Sequence, residues 1–353
     1  MNTGLLVSVI IPAYNAERYV ESALRSVMAQ SYTNLEILVA DDCSSDGTLS
    51  VIERLAAEDA RITVFRNAEN RGIVSTLNAL VDAARGTYIA RMDADDICMP
   101  RRIERQVAFL ESHPDYALCG TNAWHIDEDG RRIGKTRLPT SCDDNRFFLR
   151  FYSTLYHPTV MARSEVLRQN SYSADFPYAE DYELWCRLVF ARGMNAANLA
   201  ERLLLYRVSS SQSSATHCAE QTRSSARIFD AHDIINKEHV PFHQNIFFAH
   251  ERSLSNADEL MYAKTAGRSL RHRRMRFSCL AYQKLLFHAS KCFGMGTLTF
   301  FAMNPLGICA LAGLAAKRMG KRLRMVFQYA VRFDAKLVAD GDVQTANSSG
   351  GVE

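Results

Sequence analysis

The stretch Val7-Ser8-Val9-Ile10-Ile11 decides the fold, because it is an almost continuous apolar run followed by a segment with helical spacing. The same alternation continues to residue 92, with further short, mostly apolar runs at residues 36–40, 62–65 and 88–92. The segments between these runs place apolar residues three or four positions apart: Val20, Leu24, Val27 and Met28, then Leu49, Ile52, Leu55 and Ala56, then Ile73, Leu77, Leu80 and Ala84. This alternation predicts an α/β fold with a mostly parallel sheet flanked by helices on both faces.

Beyond residue 92 the pattern is less regular. A helix is predicted after Pro100, with Ile103, Val107 and Leu110 on its buried face, ending before Pro114. Residues 117–160 favour short strands and turns. A second helix is predicted to begin near residue 180 and stop at residue 193, and a strand at 203–208 precedes a serine-rich loop at 209–214.

Composition excludes several classes of protein. The 353 residues are 47% hydrophobic and 23% charged, with 8 proline and 17 glycine residues, so the chain is neither collagen-like nor disordered as a whole. The nine cysteines are odd in number and never form a C-x-x-C pair, which argues against a disulfide framework and a structural zinc site. They predict reduced thiols in a cytosolic protein. The first apolar run lacks a preceding positive charge and a cleavage site, so a buried strand is favoured over a signal peptide.

Charge is distributed unevenly along the chain. Residues 1–263 contain 27 basic and 35 acidic residues, whereas residues 264–353 contain 15 basic and 4 acidic residues. An acidic body with a basic tail is therefore predicted, and no recognised nucleic-acid-binding module accompanies the positive charge.

Polar residues follow three of the predicted strands. Asp41 and Asp42 follow the second strand, residues 67–72 follow the third, and Asp93-Ala94-Asp95-Asp96 follows the fourth. Because ligands bind at the carboxyl ends of strands in such sheets, these loops should meet in one crevice. Carboxylates spaced two apart offer hard oxygen ligands to Mg²⁺ or Mn²⁺. The alternative for this acidic run is a solvated turn or a helix cap.

Two further carboxylates have both an ordinary and a functional interpretation. Asp42 begins a segment rich in turn-forming residues, but at a strand end its carboxylate could also accept the imide N–H of uracil or thymine. Asp181 at a helix start could simply favour the helix dipole, or it could be a general base at the lip of the crevice.

Five motifs together resemble one family. They are residues 7–15 (VSVIIPAYN), 41–48 (DDCSSDGT), 70–72 (NRG), 93–96 (DADD) and 179–185 (AEDYELW). In this order they resemble the family 2 inverting glycosyltransferases of GT-A fold. The resemblance covers about residues 5–215 and implies a glycosyltransferase domain at 1–215.

The resemblance implies a nucleotide-sugar site at the first two strand ends. By similarity, Pro12, Ala13 and Tyr14 line the nucleoside pocket, with Tyr14 near the base. Asp42 would read the pyrimidine N–H, and Arg71 would support the base and ribose. A pyrimidine nucleoside diphosphate sugar is therefore the expected donor, with a UDP-sugar favoured.

The resemblance also implies a metal site and a base. Asp93 would touch ribose or metal, and Asp95 would bind the Mn²⁺ or Mg²⁺ that bridges the two phosphates. Asp181 would deprotonate the acceptor hydroxyl, with Glu180 and Asp96 as second choices for the base and metal roles. The acceptor would attack in line and invert the anomeric carbon in one step, without an enzyme nucleophile.

Other activities have less support. A Walker A loop, a G-x-G-x-x-G after a strand and an H-E-x-x-H motif are absent from the sequence. A sugar-phosphate nucleotidyltransferase and a catalytically silent sugar-binding module remain the alternatives. The Gln-x-x-Arg-Trp motif of the processive synthases in this family is also absent, which favours transfer of one sugar or a few.

The region after the predicted catalytic domain is basic. Residues 216–336 are predicted to be helical, and between residues 264 and 336 there are 15 basic residues and one acidic residue. Residues 292–316 are uncharged. This pattern predicts an anchor on an anionic membrane surface at the cytoplasmic face, where a saccharide or lipid-linked saccharide would be the acceptor. The alternative is a soluble basic helical subdomain. Residues 337–353 predict a disordered tail.

Overall fold

A nine-stranded sheet organises the part of the chain that this computed structural model describes, which is residues 4–150, 152–209 and 216–232. The strands are β1 (Val7–Ala13), β2 (Leu35–Asp41), β3 (Ile62–Arg66), β4 (Tyr88–Arg91), β5 (Ile97–Cys98), β6 (Tyr116–Ile126), β7 (Arg132–Lys135), β8 (Met161–Arg163) and β9 (Asn195–Arg207). The helices are α1 (Val20–Met28), α2 (Thr48–Glu58), α3 (Gly72–Ala83), α4 (Arg102–Ser112), α5 (Cys142–Phe148), α6 (Ser164–Gln169), α7 (Glu180–Cys186) and α8 (Cys218–Ala231). A 3₁₀ turn lies at His157–Thr159, and a π-helical turn at Arg187–Ala191 continues α7.

The strand order is β3-β2-β1-β4-β8-β6-β9-β5, with β7 paired to β6. β1 is parallel to β2 and β4, β2 is parallel to β3, and β6 is parallel to β9. β8 is antiparallel to both β4 and β6, β5 to β9, and β7 to β6. β1, β2, β3, β4, β6 and β9 therefore run in one direction. The predicted mostly parallel sheet with flanking helices is confirmed.

The first half of the sheet is the core that the sequence pattern predicted. Every residue of β1, β2 and β4 is buried, because helices cover these strands. The predicted inward residues Leu24, Ile52 and Leu77 are each 0% exposed. Ile73, also predicted to face inward, is 38% exposed, since it lies in the first turn of α3.

Residues 117–160 differ from the prediction of short strands and turns. β6 is a single strand of 11 residues, and residues 142–148 form α5. The predicted strand at 203–208 is the end of β9, which has 13 residues. The reason lies at Asn122, where the β6–β9 register shifts and a polar side chain is buried. Its Oδ1 accepts hydrogen bonds from the Leu138 N–H and the Thr136 hydroxyl, so polar residues lie inside a continuous strand.

Helix α8 is the last described element. It contacts the segment that leads into α7, because Gln221 donates to the Tyr178 carbonyl and Arg227 donates to the Asp175 carbonyl. The predicted domain boundary at 215, the uncharged segment at 292–316 and the tail at 337–353 lie outside the described residues, as does most of the predicted basic region at 216–336.

Free thiols are present at Cys43, Cys98, Cys119, Cys142 and Cys186. In the described part of the chain, no helix is both long enough and apolar enough to cross a bilayer.

Candidate active site

The ends of β1 and β2 form the first part of the site. The Asp42 N–H donates to the Ala13 carbonyl at 2.8 Å, which holds the two strand ends together. Pro12 and Ala13 are buried at the end of β1, whereas the following Tyr14 is 53% exposed. Tyr14 is therefore available to a ligand that lies over this edge of the sheet.

The Asp42 carboxylate holds the loop that leads into α3. Its Oδ1 accepts hydrogen bonds from Asn67 Nδ2 at 2.7 Å and from the Arg71 N–H at 2.8 Å. Its Oδ2 accepts one from the Gly72 N–H at 2.9 Å. Gly72 has a φ of 77°, a left-handed conformation that favours glycine. Because an ionised carboxylate offers about four acceptor positions, one position on Asp42 stays open to a ligand.

Arg71 and Asp41 complete this part of the site in ways the sequence did not specify. Arg71 approaches Asp42 through its backbone N–H, while its side chain is exposed. Asp41 is 2% exposed; its Oδ2 accepts from the Ser44 N–H, and its buried Oδ1 has no hydrogen-bond partner. A buried unpaired acceptor is costly, so Asp41 is a second candidate for contact with a ligand N–H.

Three carboxylates cluster after β4. Asp93, Asp95 and Asp96 each offer an oxygen within 4.8 Å of the others. Burial and the charge of Asp93 raise the pKa of Asp95. Asp96 is 0% exposed, and burial together with the charges of Asp93 and Asp95 raises its pKa well above the ordinary value. The cluster concentrates negative charge in a place where water screens it poorly.

The donor set fits a divalent cation. All the candidate ligands are carboxylate oxygens, which suit Mg²⁺ and Mn²⁺. Asp96 Oδ2 is buried without a hydrogen-bond partner, so it has an unused acceptor position inside the cluster. A bound cation would offset the mutual repulsion of the three carboxylates.

Arg207, which sequence reasoning missed, holds this cluster. Its backbone N–H donates to Asp96 Oδ1 at 2.8 Å, and its Nε donates to the Asp95 carbonyl at 2.8 Å. Its Nη1 donates to the carbonyls of Asp127 and Glu128 in the β6–β7 turn. Arg207 is only 3% exposed. The sequence feature that could have indicated Arg207 was its position at the end of the predicted strand 203–208.

Arg91 is the second missed residue. It is 5% exposed, and its guanidinium donates to both oxygens of Asp93, with Nη1 2.6 Å from Oδ2. Asp93 therefore already has a cationic partner, which leaves Asp95 and Asp96 as the less engaged metal ligands. A charged residue within the otherwise apolar run 88–92 was the signal for Arg91.

The predicted base lies at the start of α7. Glu180 and Asp181 are half-buried residues whose carboxyl groups are enclosed by protein, and this enclosure raises the pKa of both. The positive charge of Arg91 opposes these increases, and the charge of Asp93 adds to them. The charges of Arg91 and Asp93 thus influence the ionisation of both base candidates. Glu180 Oε2 is buried without a hydrogen-bond partner.

Aromatic residues border the acidic cluster. Burial and the charges of Asp93, Asp96 and Asp95 raise the pKa of Tyr206. The Tyr206 ring lies 5.3 Å from that of Tyr156 and 5.8 Å from that of His125. All three aromatic residues are half-buried, so their flat ring faces are partly exposed beside the carboxylates of the acidic cluster.

Comparison with known proteins identifies the family. The family model for glycosyl transferase family 2 matches residues 8–170. An uncharacterized glycosyltransferase of Haemophilus influenzae is 36% identical over 233 residues, which are 63% of this chain and 72% of that protein. The chain belongs to glycosyltransferase family 2. The predicted family and enzyme class are confirmed.

A second relative adds a named reaction. The Escherichia coli protein WfgD, named as a UDP-Glc:alpha-D-GlcNAc-diphosphoundecaprenol beta-1,3-glucosyltransferase, is 30% identical over 218 residues. The match covers 62% of this glycosyltransferase and 83% of WfgD.

Two solved structures share the fold. S. aureus TarS 1–349 in complex with UDP-GlcNAc matches with a TM-score of 0.54 and 18% identity, covering 86% of this chain and 87% of that chain. The mannosyltransferase PcManGT from Pyrobaculum calidifontis in complex with GDP-Man and Mn²⁺ matches with a TM-score of 0.52 and 21% identity, covering 86% and 85%. These likenesses confirm the predicted GT-A fold.

Proposed function

We propose that this family 2 enzyme transfers a sugar from a UDP-sugar to a hydroxyl of a saccharide or lipid-linked saccharide. Inversion at the anomeric carbon and dependence on Mn²⁺ or Mg²⁺ are parts of the proposal. The observation that carries it is that Arg91 acts on two acidic groups: it binds Asp93 of the cluster at 93–96, and its charge lowers the pKa of the enclosed Glu180–Asp181 pair. The cluster at 93–96 would bind the cation that stabilises the leaving diphosphate, and the Glu180–Asp181 pair would supply the base for the attacking hydroxyl.

The donor would lie across the ends of β1, β2 and β4. Pro12, Ala13 and Tyr14 would contact the nucleoside, and the open position on Asp42 would accept the uracil imide N–H. Arg71 would reach the base and ribose with its exposed side chain. The complex of TarS with UDP-GlcNAc and the UDP-Glc in the name of WfgD support a uridine donor.

The diphosphate would be held on the acidic side of the site. Asp95 and Asp96, with Asp93 beside them, would bind the cation, which when present neutralises charge on the departing diphosphate. Arg207 would keep the Asp95 backbone and the Asp96 carboxylate in place for this role. PcManGT bound to Mn²⁺ supports a divalent cation in this fold.

Asp181 would take the proton of the acceptor hydroxyl on one carboxylate oxygen. The hydroxyl oxygen forms the new bond to the anomeric carbon while the bond to the diphosphate oxygen breaks, and the configuration inverts. Because the base must be ionised, Arg91 assists by opposing the effect of burial on the Asp181 pKa. The half-buried faces of Tyr206, Tyr156 and His125 would contact the acceptor sugar.

The diphosphoundecaprenol acceptor in the name of WfgD supports a lipid-linked acceptor, and hence work at the cytoplasmic face of a membrane in polysaccharide synthesis. The assignment of residues 216–336 to a membrane-associated region belongs to this proposal. A screen of nucleotide-sugars with Mn²⁺, with and without a lipid-diphosphate saccharide, tests it. Acceptor-dependent release of UDP from one UDP-sugar is expected. Turnover of none of them, or of purine donors alone, would refute the proposed donor.

A further inference from the structure

A group of cations surrounds Trp124 on the β6–β7 hairpin. The guanidinium carbons of Arg132 and Arg202 lie 4.7 and 5.0 Å from the centroid of the indole ring, and Lys135 Nζ lies 5.8 Å from it. We call Trp124 and these three residues the Trp124 surface. None of them belongs to the donor, metal or base positions described above.

The cations of the Trp124 surface have no carboxylate partners in the described ranges 4–150, 152–209 and 216–232. The acidic residues of the adjoining turn and strand are engaged elsewhere. Glu128 and Asp129 pair with Arg18, and Glu201 pairs with Arg105. Three like charges gathered on one ring repel one another, and the ring face offsets only part of this cost. In a segment with 35 acidic and 27 basic residues, such a group favours an anionic ligand.

Exposure and apolar character identify the kind of ligand. Arg132 and Lys135 are exposed, Trp124 is half-buried, and Ile133 between the two cations is 59% exposed. Among the described strands, β7 pairs with β6 alone. An indole and an aliphatic side chain beside unpaired cations are the composition that proteins present to the headgroup layer of a bilayer. The phosphates of a nucleic acid would leave the exposed isoleucine in water.

The hairpin is also joined to the active site. Arg207 donates to the carbonyls of Asp127 and Glu128 in its turn, while the Arg207 backbone N–H binds Asp96. A bilayer in contact with the hairpin would therefore lie next to the element that holds the acidic cluster. An acceptor diphosphate in that bilayer would then be near the site that uses it.

We propose that the Trp124 surface is a contact site for an anionic lipid bilayer. The role of this contact in catalysis rests on the proposed lipid-linked acceptor. Binding of the bilayer itself can be measured without turnover. The attraction is strongest for leaflets rich in phosphatidylglycerol or similar lipids, and it falls with added salt.

The two tryptophans of the chain make a direct test possible. Trp185 is 0% exposed, so Trp124 is the tryptophan that a bilayer can reach. The full chain is mixed with phosphatidylglycerol vesicles whose acyl chains carry bromine, a short-range quencher of indole fluorescence. We expect quenching relative to unbrominated vesicles, and we expect Trp124→Phe to abolish it. A basic tail that bound vesicles alone would allow sedimentation without quenching.

A charge variant provides the matched comparison. Arg132→Gln with Lys135→Gln should lower the apparent vesicle affinity measured by quenching by about 30-fold. The exchanges Arg132→Lys and Lys135→Arg keep both charges and should keep the affinity. Arg202 is left unchanged because it also donates to the Thr136 carbonyl. UDP binding by each variant is measured as a fold control and as an independent readout of the proposed function. Equal quenching in wild type and Trp124→Phe, or sedimentation without quenching, would overturn the proposal. So would a Trp124 emission change with inorganic polyphosphate but not with vesicles.

Discussion

Arg91 donates to both carboxylate oxygens of Asp93, and its positive charge also acts on the proposed base, Asp181. The same positive charge lowers the pKa of Glu180 and Asp181, while burial raises it. One arginine therefore influences both sides of the reaction that we propose. Its removal should change the pH dependence of turnover as well as its rate.

Arg91→Met should shift the acidic limb of the pH–kcat profile to higher pH. Without the cation the pKa of Asp181 rises, so a higher pH is needed to ionise the base. Arg91→Lys should move the limb less. The control is Arg85→Met, since Arg85 pairs with Glu36 and is exposed. Profiles with the same midpoint in wild type and Arg91→Met would contradict the assigned role.

Asp95→Asn should weaken Mn²⁺-dependent UDP binding by about tenfold or more, because one carboxylate ligand accounts for a large part of the cation affinity. Calorimetry with UDP, with and without Mn²⁺, measures the change. Asp129→Asn is the matched control, since Asp129 is an acidic residue on the nearby turn with an exposed side chain. If Mn²⁺ increased the UDP affinity of Asp95→Asn as much as that of the wild type, Asp95 would not be a metal ligand.

Arg207→Lys should lower both stability and Mn²⁺ affinity. Lysine cannot bond the carbonyls of Asp95, Asp127 and Glu128 at the same time, although the backbone bond to Asp96 remains. Loss of charged hydrogen bonds in a buried place costs about 2 kcal/mol in the free energy of unfolding. Thermal unfolding and Mn²⁺ titration by electron paramagnetic resonance report the two effects. If Arg207→Lys kept wild-type Mn²⁺ affinity, the hydrogen bonds of Arg207 would serve stability only and not metal binding.

Asp42→Ala should destabilise the protein by about 1–2 kcal/mol, since it removes the acceptor for the N–H groups of Arg71 and Gly72 at the start of α3. UDP binding should weaken as well, because both the open acceptor position and the loop would be lost. Asp42→Asn keeps one carbonyl acceptor and should lose less stability. Thermal unfolding and UDP titration separate the two contributions. An unchanged Tm in Asp42→Ala would contradict the role in holding the loop.

The first half of the fold could be predicted from the sequence because β1, β2 and β4 are buried on both faces. Such strands are continuous apolar runs, and the helices between them keep regular spacing. The second half could not be predicted in the same way. β6 and β9 contain buried polar residues such as Asn122 and Asn198. Their side-chain amides donate to the carbonyls of Leu199 and Pro139, which are distant in sequence.

The acidic residues of the candidate site could be predicted because carboxylates at strand ends are conspicuous. Their partners were harder to find. Arg207 is 111 residues from Asp96 in sequence, and no local spacing connects them. Asp42 was predicted to bind the N–H of the pyrimidine ring, and that role stays a prediction. The structure adds that the Asp42 carboxylate also binds the loop at residues 67–72.

The most direct test compares Asp181→Asn with wild type for UDP-sugar turnover and for UDP binding. A base acts on the acceptor hydroxyl, so the variant should keep UDP affinity within about twofold while kcat falls by about 10²–10⁴-fold. Glu180→Gln is the neighbouring comparison and should lose less activity. Wild-type turnover in Asp181→Asn, with UDP binding intact, would contradict the assignment of Asp181 as the base.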